Sequence, residues 1–97
     1  MEYSREHNMV LAAIFWLSVI KKRSPLAKDI CKALEAFVAE PECELRIKEL
    51  VRHKYLLVAN PDAREYNQYQ KWNDKRFCFA YKAMDNLTEM AGFNAGD

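Results

Sequence analysis

The sequence predicts a mostly helical α+β domain: a three-helix core, a two-stranded β-hairpin and a short C-terminal helix. Three observations lead there. Apolar residues recur at helical spacing through the first half, with capping and breaking residues between the runs. Two short strand-forming runs come later, "YLLVA" (55–59) and "RFCFAYK" (76–82), and the second alternates apolar faces. Glycine and proline number only two and three, which disfavours a turn-rich all-β architecture. With 97 residues the chain encloses one core. A single domain over 1–97 is expected, its ordered part spanning about 8–92.

The first helix is expected over 4–22. Its stretch "MVLAAIFWLSVI" (9–20) is apolar on every side except Ser18, unlike the one-sided stripe of a surface helix. One stripe, either Val10, Ile14 and Leu17 or Met9, Ala13, Trp16 and Ile20, serves the core. The other then needs a partner, and a homodimer interface at Met9, Ala13, Trp16 and Ile20 is the expectation. The stretch holds 12 residues, against the roughly 20 that span a bilayer, so no membrane segment is expected.

"KKR" (21–23) closes that helix with cations, which suit its negative end. Ser24 and Pro25 are expected to open the second helix as N-cap and first helical residue, with Leu26, Ala27, Ile30, Leu34 and Phe37 facing inward. Pro41 ends that pattern. A third helix is expected over 41–53, with Cys43, Ile47, Leu50 and Val51 inward. "NPDA" (60–63) is a turn signal, and residues 60–75 form the hairpin tip. Met84, Leu87 and Met90 place a last helical segment at 84–92, before Gly92 stops it.

The chemistry-bearing residues point away from catalysis. Cys31, Cys43 and Cys78 form no C-x-x-C pair, and His7 and His53 lack ligand spacing to them, so neither a metal nor a cofactor is expected. No nucleophile motif or glycine-rich phosphate loop occurs, and no enzyme is expected. An odd number of thiols with no secretory signal pattern predicts reduced cysteines and a cytoplasmic location. The net charge of +1 excludes a polybasic protein, so contact with nucleic acid must come from local patches.

Two such patches exist. Lys21, Lys22, Arg23 and Lys28 stand against Asp29 alone, and Arg64, Lys71, Lys75 and Arg76 against Glu65 and Asp74. The second interleaves cations with rings in "YNQYQKWNDKR" (66–76), where Tyr66, Tyr69 and Trp72 fit no core periodicity. Rings between cations stack on bases while the cations neutralise phosphates. The alternatives are rings folded over the hairpin or a hot spot for a protein partner.

The order helix, helix, helix, strand, long tip, strand, helix resembles the winged helix-turn-helix domain of bacterial and phage regulators. "IKELVRHKYLLV" (47–58) is similar to the end of a recognition helix running into the first wing strand. Ile47 and Leu50 match that pattern, and Lys54 stands where the family prefers glycine. "NLTEMAG" (86–92) is similar to the Leu-Thr-x-x-Gly after the second wing strand, with its glycine one residue late. The resemblance implies a dimeric transcriptional regulator of duplex DNA. Helix 41–53 would present Arg46, Lys48 and Arg52 to the major groove, and wing 60–76 would carry Arg64, Tyr66, Gln68, Tyr69, Lys71, Trp72, Lys75 and Arg76. Glu40, Glu42, Glu44 and Glu49 balance the four cations of residues 40–54, which weighs against base reading by that helix. The same fold also serves as a phage- or plasmid-encoded module that binds a host protein.

Overall fold

In the computed structural model, residues 3–59 and 71–80 are described. They form three helices and a two-stranded antiparallel sheet. The expected helix at 84–92 and the tip residues 60–70 lie outside the described residues.

Helix α1 (Arg5–Lys21) begins with a capping box. The Ser4 hydroxyl accepts the His7 N–H at 3.4 Å, and the His7 ring Nδ1 accepts the Ser4 N–H at 2.9 Å. Histidine thus fills the place that glutamate or glutamine usually takes. Nδ1 accepts a backbone N–H, so the ring proton sits on Nε2, which donates to Glu49 Oε1 at 3.0 Å. This buried ring, only 1% exposed, ties the start of α1 to the third helix. Tyr3 stacks on it and tilts against Tyr55, and burial, with Tyr55 beside it, pushes the Tyr3 phenol up to about 12.

Helix α2 (Ala27–Leu34) starts two residues later than the Ser24 cap predicts. Residues 24–26 are spent on sheet pairing instead. Leu26 bridges Arg76 antiparallel, Ala27 N–H donates to the Lys75 carbonyl (2.8 Å) and Phe77 N–H to the Pro25 carbonyl (3.1 Å). Tertiary hydrogen bonds have overridden the local capping signal. The helix also ends early. A turn over 35–37 leaves Phe37 70% exposed and puts Val38 in the core in its stead.

Helix α3 (Glu40–Arg52) carries Pro41 in its first turn, where a missing N–H is harmless. It closes in a Schellman arrangement: Tyr55 N–H donates to the Leu50 carbonyl (2.8 Å) and Lys54 N–H to that of Val51 (3.1 Å). Lys54 takes the left-handed conformation, φ 65°, at the position where the sequence pattern calls for glycine.

Strands β1 (Leu56–Val58) and β2 (Phe77–Phe79) pair with Leu56 opposite Phe79 and Val58 opposite Phe77. Both are shorter than their sequence runs. The core gathers Val10, Leu11, Ile14 and Leu17 of α1, Ile30 and Leu34 of α2, and Cys43, Ile47 and Leu50 of α3, closed by Leu56 and Phe77. Cys31 and Cys43 are buried here as small core residues. The Cys43 thiol donates to the Cys31 sulfur, a bond that lowers Cys31 and, with burial, raises Cys43. Among the described residues, no helix is long and apolar enough to cross a membrane.

The core stripe of α1 is the one containing Val10, Ile14 and Leu17. At about 100° per residue the opposite direction is occupied by Ala12, Phe15, Trp16 and Val19. The exposed apolar stripe is therefore rotated from the one expected. Ala13 is buried in the core and Met9 packs against it, whereas Trp16 and Ile20 remain exposed and are joined by Phe15 and Val19.

Candidate nucleic-acid interface

The main-chain bonds that delay α2 also build the cationic surface. They hold residues 24–27, just after Lys21, Lys22 and Arg23, against residues 75–77. Arg76 adds a side-chain link, its Nη1 donating to the Ser24 carbonyl at 2.7 Å. Two basic segments about fifty residues apart in sequence are thereby brought side by side. Together they carry Lys21, Lys22, Arg23, Lys28, Lys71, Lys75 and Arg76, with only Asp29 and Asp74 as acids within 21–29 and 71–76.

Their availability differs. Lys22, Arg23, Lys28 and Lys71 are exposed, and Lys75 is half-buried. Lys21 is exposed but lies 3.8 Å from Asp29, a loose contact of small energetic weight. Arg76 spends part of its guanidinium on Ser24. Lys22 terminates α1 in the left-handed conformation, φ 53°, so the chain turns sharply there and Arg23 follows on the same corner.

The cations of α3 are placed differently from the expectation. Arg46 donates to Glu42 (2.9 and 2.7 Å) and to Glu49 (2.7 Å), and Lys48 donates to Glu44 (2.8 Å). Spacings of three and four residues bring these partners onto one helix face. A guanidinium held at both ends by carboxylates must break charge-assisted bonds before it can meet guanine. Arg52, in the last turn, is exposed. Phe37, in the turn after α2, and Leu45 of α3 are also exposed.

Trp72 differs most from the sequence reading. It opens a 3₁₀ turn (Trp72–Asp74), is partly buried, and packs its ring 5.5 Å from Phe77. Lys48 Nζ lies over the ring at 5.1 Å from its centroid. The ring therefore covers the core next to β2 and is not displayed between cations. Burial won because the turn brings Trp72 beside the end of β2, a contact no local pattern encodes. Arg64, Tyr66, Gln68 and Tyr69 lie outside the described residues.

The sequence reading also missed the His7, Glu49 and Arg46 cluster. Glu49 accepts from both His7 and Arg46, and Arg46 first, then His7, hold its carboxyl below the ordinary range. The i, i+3 spacing of Arg46 and Glu49 was visible; the 42-residue separation of His7 and Glu49 was not. At the same end of α1, an open recess of about 420 Å³ is lined by Arg5, Asn8, Met9 and Ala12.

No family model matches the chain, and it has no match among curated proteins or solved structures.

Proposed function

We propose that the protein is a small DNA-binding module of the winged-helix kind that grips duplex phosphates along the edge formed by residues 21–28 and 71–76. The observation that carries this reading is the antiparallel pairing of residues 25–27 with 75–77, which turns two dispersed basic segments into one surface. Five lysines and arginines stand exposed there, Lys21 in loose contact with Asp29. Phosphate contacts of this kind give affinity and register without reading sequence. The carboxylates that hold Arg46 and Lys48 leave α3 a minor role in base contact, with Arg52 its most available cation. A role as a transcriptional regulator in the cytoplasm accords with this reading.

The direct test is the affinity for a short duplex, followed by fluorescence anisotropy at rising salt. Neutralising Lys22, Arg23, Lys28 and Lys71 together with glutamine should abolish measurable binding while leaving the fold intact. Equal affinity in wild type and this variant would overturn the proposal.

A second reading has its own support. Exposed Phe37 and Leu45 beside paired carboxylates on α3 suit a protein partner better than a polyanion. On this reading the chain is an inhibitor or adaptor of a host complex, of phage or plasmid origin. Capture of a partner that survives nuclease treatment and is lost in Leu45→Glu would favour it.

A further inference from the structure

The apolar face of α1 runs directly into the cationic edge. Phe15, Trp16, Val19 and Ile20 are 50%, 61%, 60% and 53% exposed, and no charged residue occurs between Met9 and Ile20. A large aromatic side chain buries about 150–250 Å², so these four half-exposed residues offer about 400–500 Å² of apolar surface. That is the size of the largest apolar patch on an ordinary monomer, and such patches are often functional. Doubled across a two-fold axis, it approaches the roughly 1,000 Å² that a specific interface must clear, before any polar rim is counted.

We propose that a second copy of this chain packs on that face, α1 against antiparallel α1, and that the pairing joins two cationic edges into one DNA-binding surface. A two-fold axis requires a self-complementary patch. Here the patch centres between Leu17 and Ser18, so Trp16 meets Val19 of the second copy and Phe15 meets its Ile20. Large rings thus face smaller β-branched side chains. A face with no charge also leaves no ionic group unpaired when it is covered.

The geometry fixes where the cations go. Lys21 lies about 5 Å along the helix from that centre at 1.5 Å per residue. With helices about 8–10 Å apart, the two Lys21 backbones stand roughly 15 Å from each other. Lys22 and Arg23 follow immediately on both copies, giving one band of like charge. Repulsion within this band opposes pairing at low salt, where the Debye length reaches about 30 Å, and fades near 1 M, where it is about 3 Å. Duplex DNA relieves the same repulsion, so DNA and dimerisation favour each other.

The joined surface rests on the cationic-edge reading; the α1 pairing does not. The test is sedimentation equilibrium of the full chain without DNA, from low to high salt, for wild type, Trp16→Glu and Val19→Glu. Both substituted residues are exposed, so circular dichroism should show an unchanged fold. Wild type should dimerise at least tenfold more tightly at high salt than at low, while both variants stay monomeric and bind duplex at least tenfold more weakly. A monomeric wild type at high salt, or dimers in both variants, would overturn the α1 pairing. A wild-type dimer indifferent to duplex would overturn the joined surface and the cationic-edge reading, leaving the α1 contact standing.

Discussion

Replacing Trp72 with alanine separates a structural ring from one that meets a ligand. Trp72 is partly buried against the core. Burial of a large side chain contributes about 1.5–3 kcal/mol. The ring pair with Phe77 adds about 0.5–1.5 kcal/mol, and the Lys48 contact about 0.5–1 kcal/mol. Because these terms overlap, the expected loss is about 2–4 kcal/mol. At roughly 4–8 °C per kcal/mol for a domain of this size, the Tm should fall by about 10–30 °C. Urea unfolding by circular dichroism and intrinsic fluorescence measures the loss directly. Duplex affinity, taken well below the variant's Tm, should change by less than about threefold. A ring stacked on a base is worth about 1–3 kcal/mol, roughly fivefold to over a hundredfold in affinity. An unchanged Tm with affinity reduced tenfold or more would refute the placement of Trp72 over Phe77.

Two further outcomes are expected. Lys54→Gly relieves a side chain held at φ 65°, a conformation that costs an L-residue about 1–2 kcal/mol. Glycine's greater freedom in the unfolded chain offsets about 0.4–1 kcal/mol of this, leaving a gain of about 0.5–1 kcal/mol, read as a raised urea midpoint. A lowered midpoint would contradict the Schellman end of α3. The Glu49 carboxyl is depressed below its ordinary value of 4.5 by Arg46 and then His7. Its contribution is therefore present above that value and is lost as pH falls through the lower folded value. Thermal melts should show the wild-type Tm declining below about pH 4.5, whereas Glu49→Gln should start lower and decline less. Parallel acid limbs would contradict the His7, Glu49 and Arg46 cluster.

The helices were legible because their signals are local. Ser4 sits where a capping serine should, Pro41 marks the start of α3, and Ile47 and Leu50 share a face by spacing alone. Even Lys54 was conspicuous as a non-glycine residue at a glycine position. What escaped were features set by distant contacts. The cap at Ser24 failed because residues 25–27 pair with 75–77, and an isolated bridge leaves no periodic trace. Phe37 lost its core place to Val38 when α2 ended in a turn. Both stripes of α1 are apolar, so nothing local could rank them; packing against α2 and α3 decided it. In the candidate site, the basic residues were legible singly. Their union needed the backbone to be placed, whereas the pairing of Arg46 and Lys48 with carboxylates three and four residues away lay open in the spacing.

The proposed neutralisation of phosphate by the surface at 21–28 and 71–76 is read in the salt dependence of duplex binding. Four to five engaged cations per copy, at about −0.9 in log K per log salt for each, give a slope of roughly −4 for a single copy. That amounts to a loss of about two to three hundredfold between about 50 and 200 mM salt. Neutralising Lys22 and Arg23 alone should bring the slope to roughly −2. Binding that is insensitive to salt, or a slope unmoved by those two substitutions, would contradict the claim.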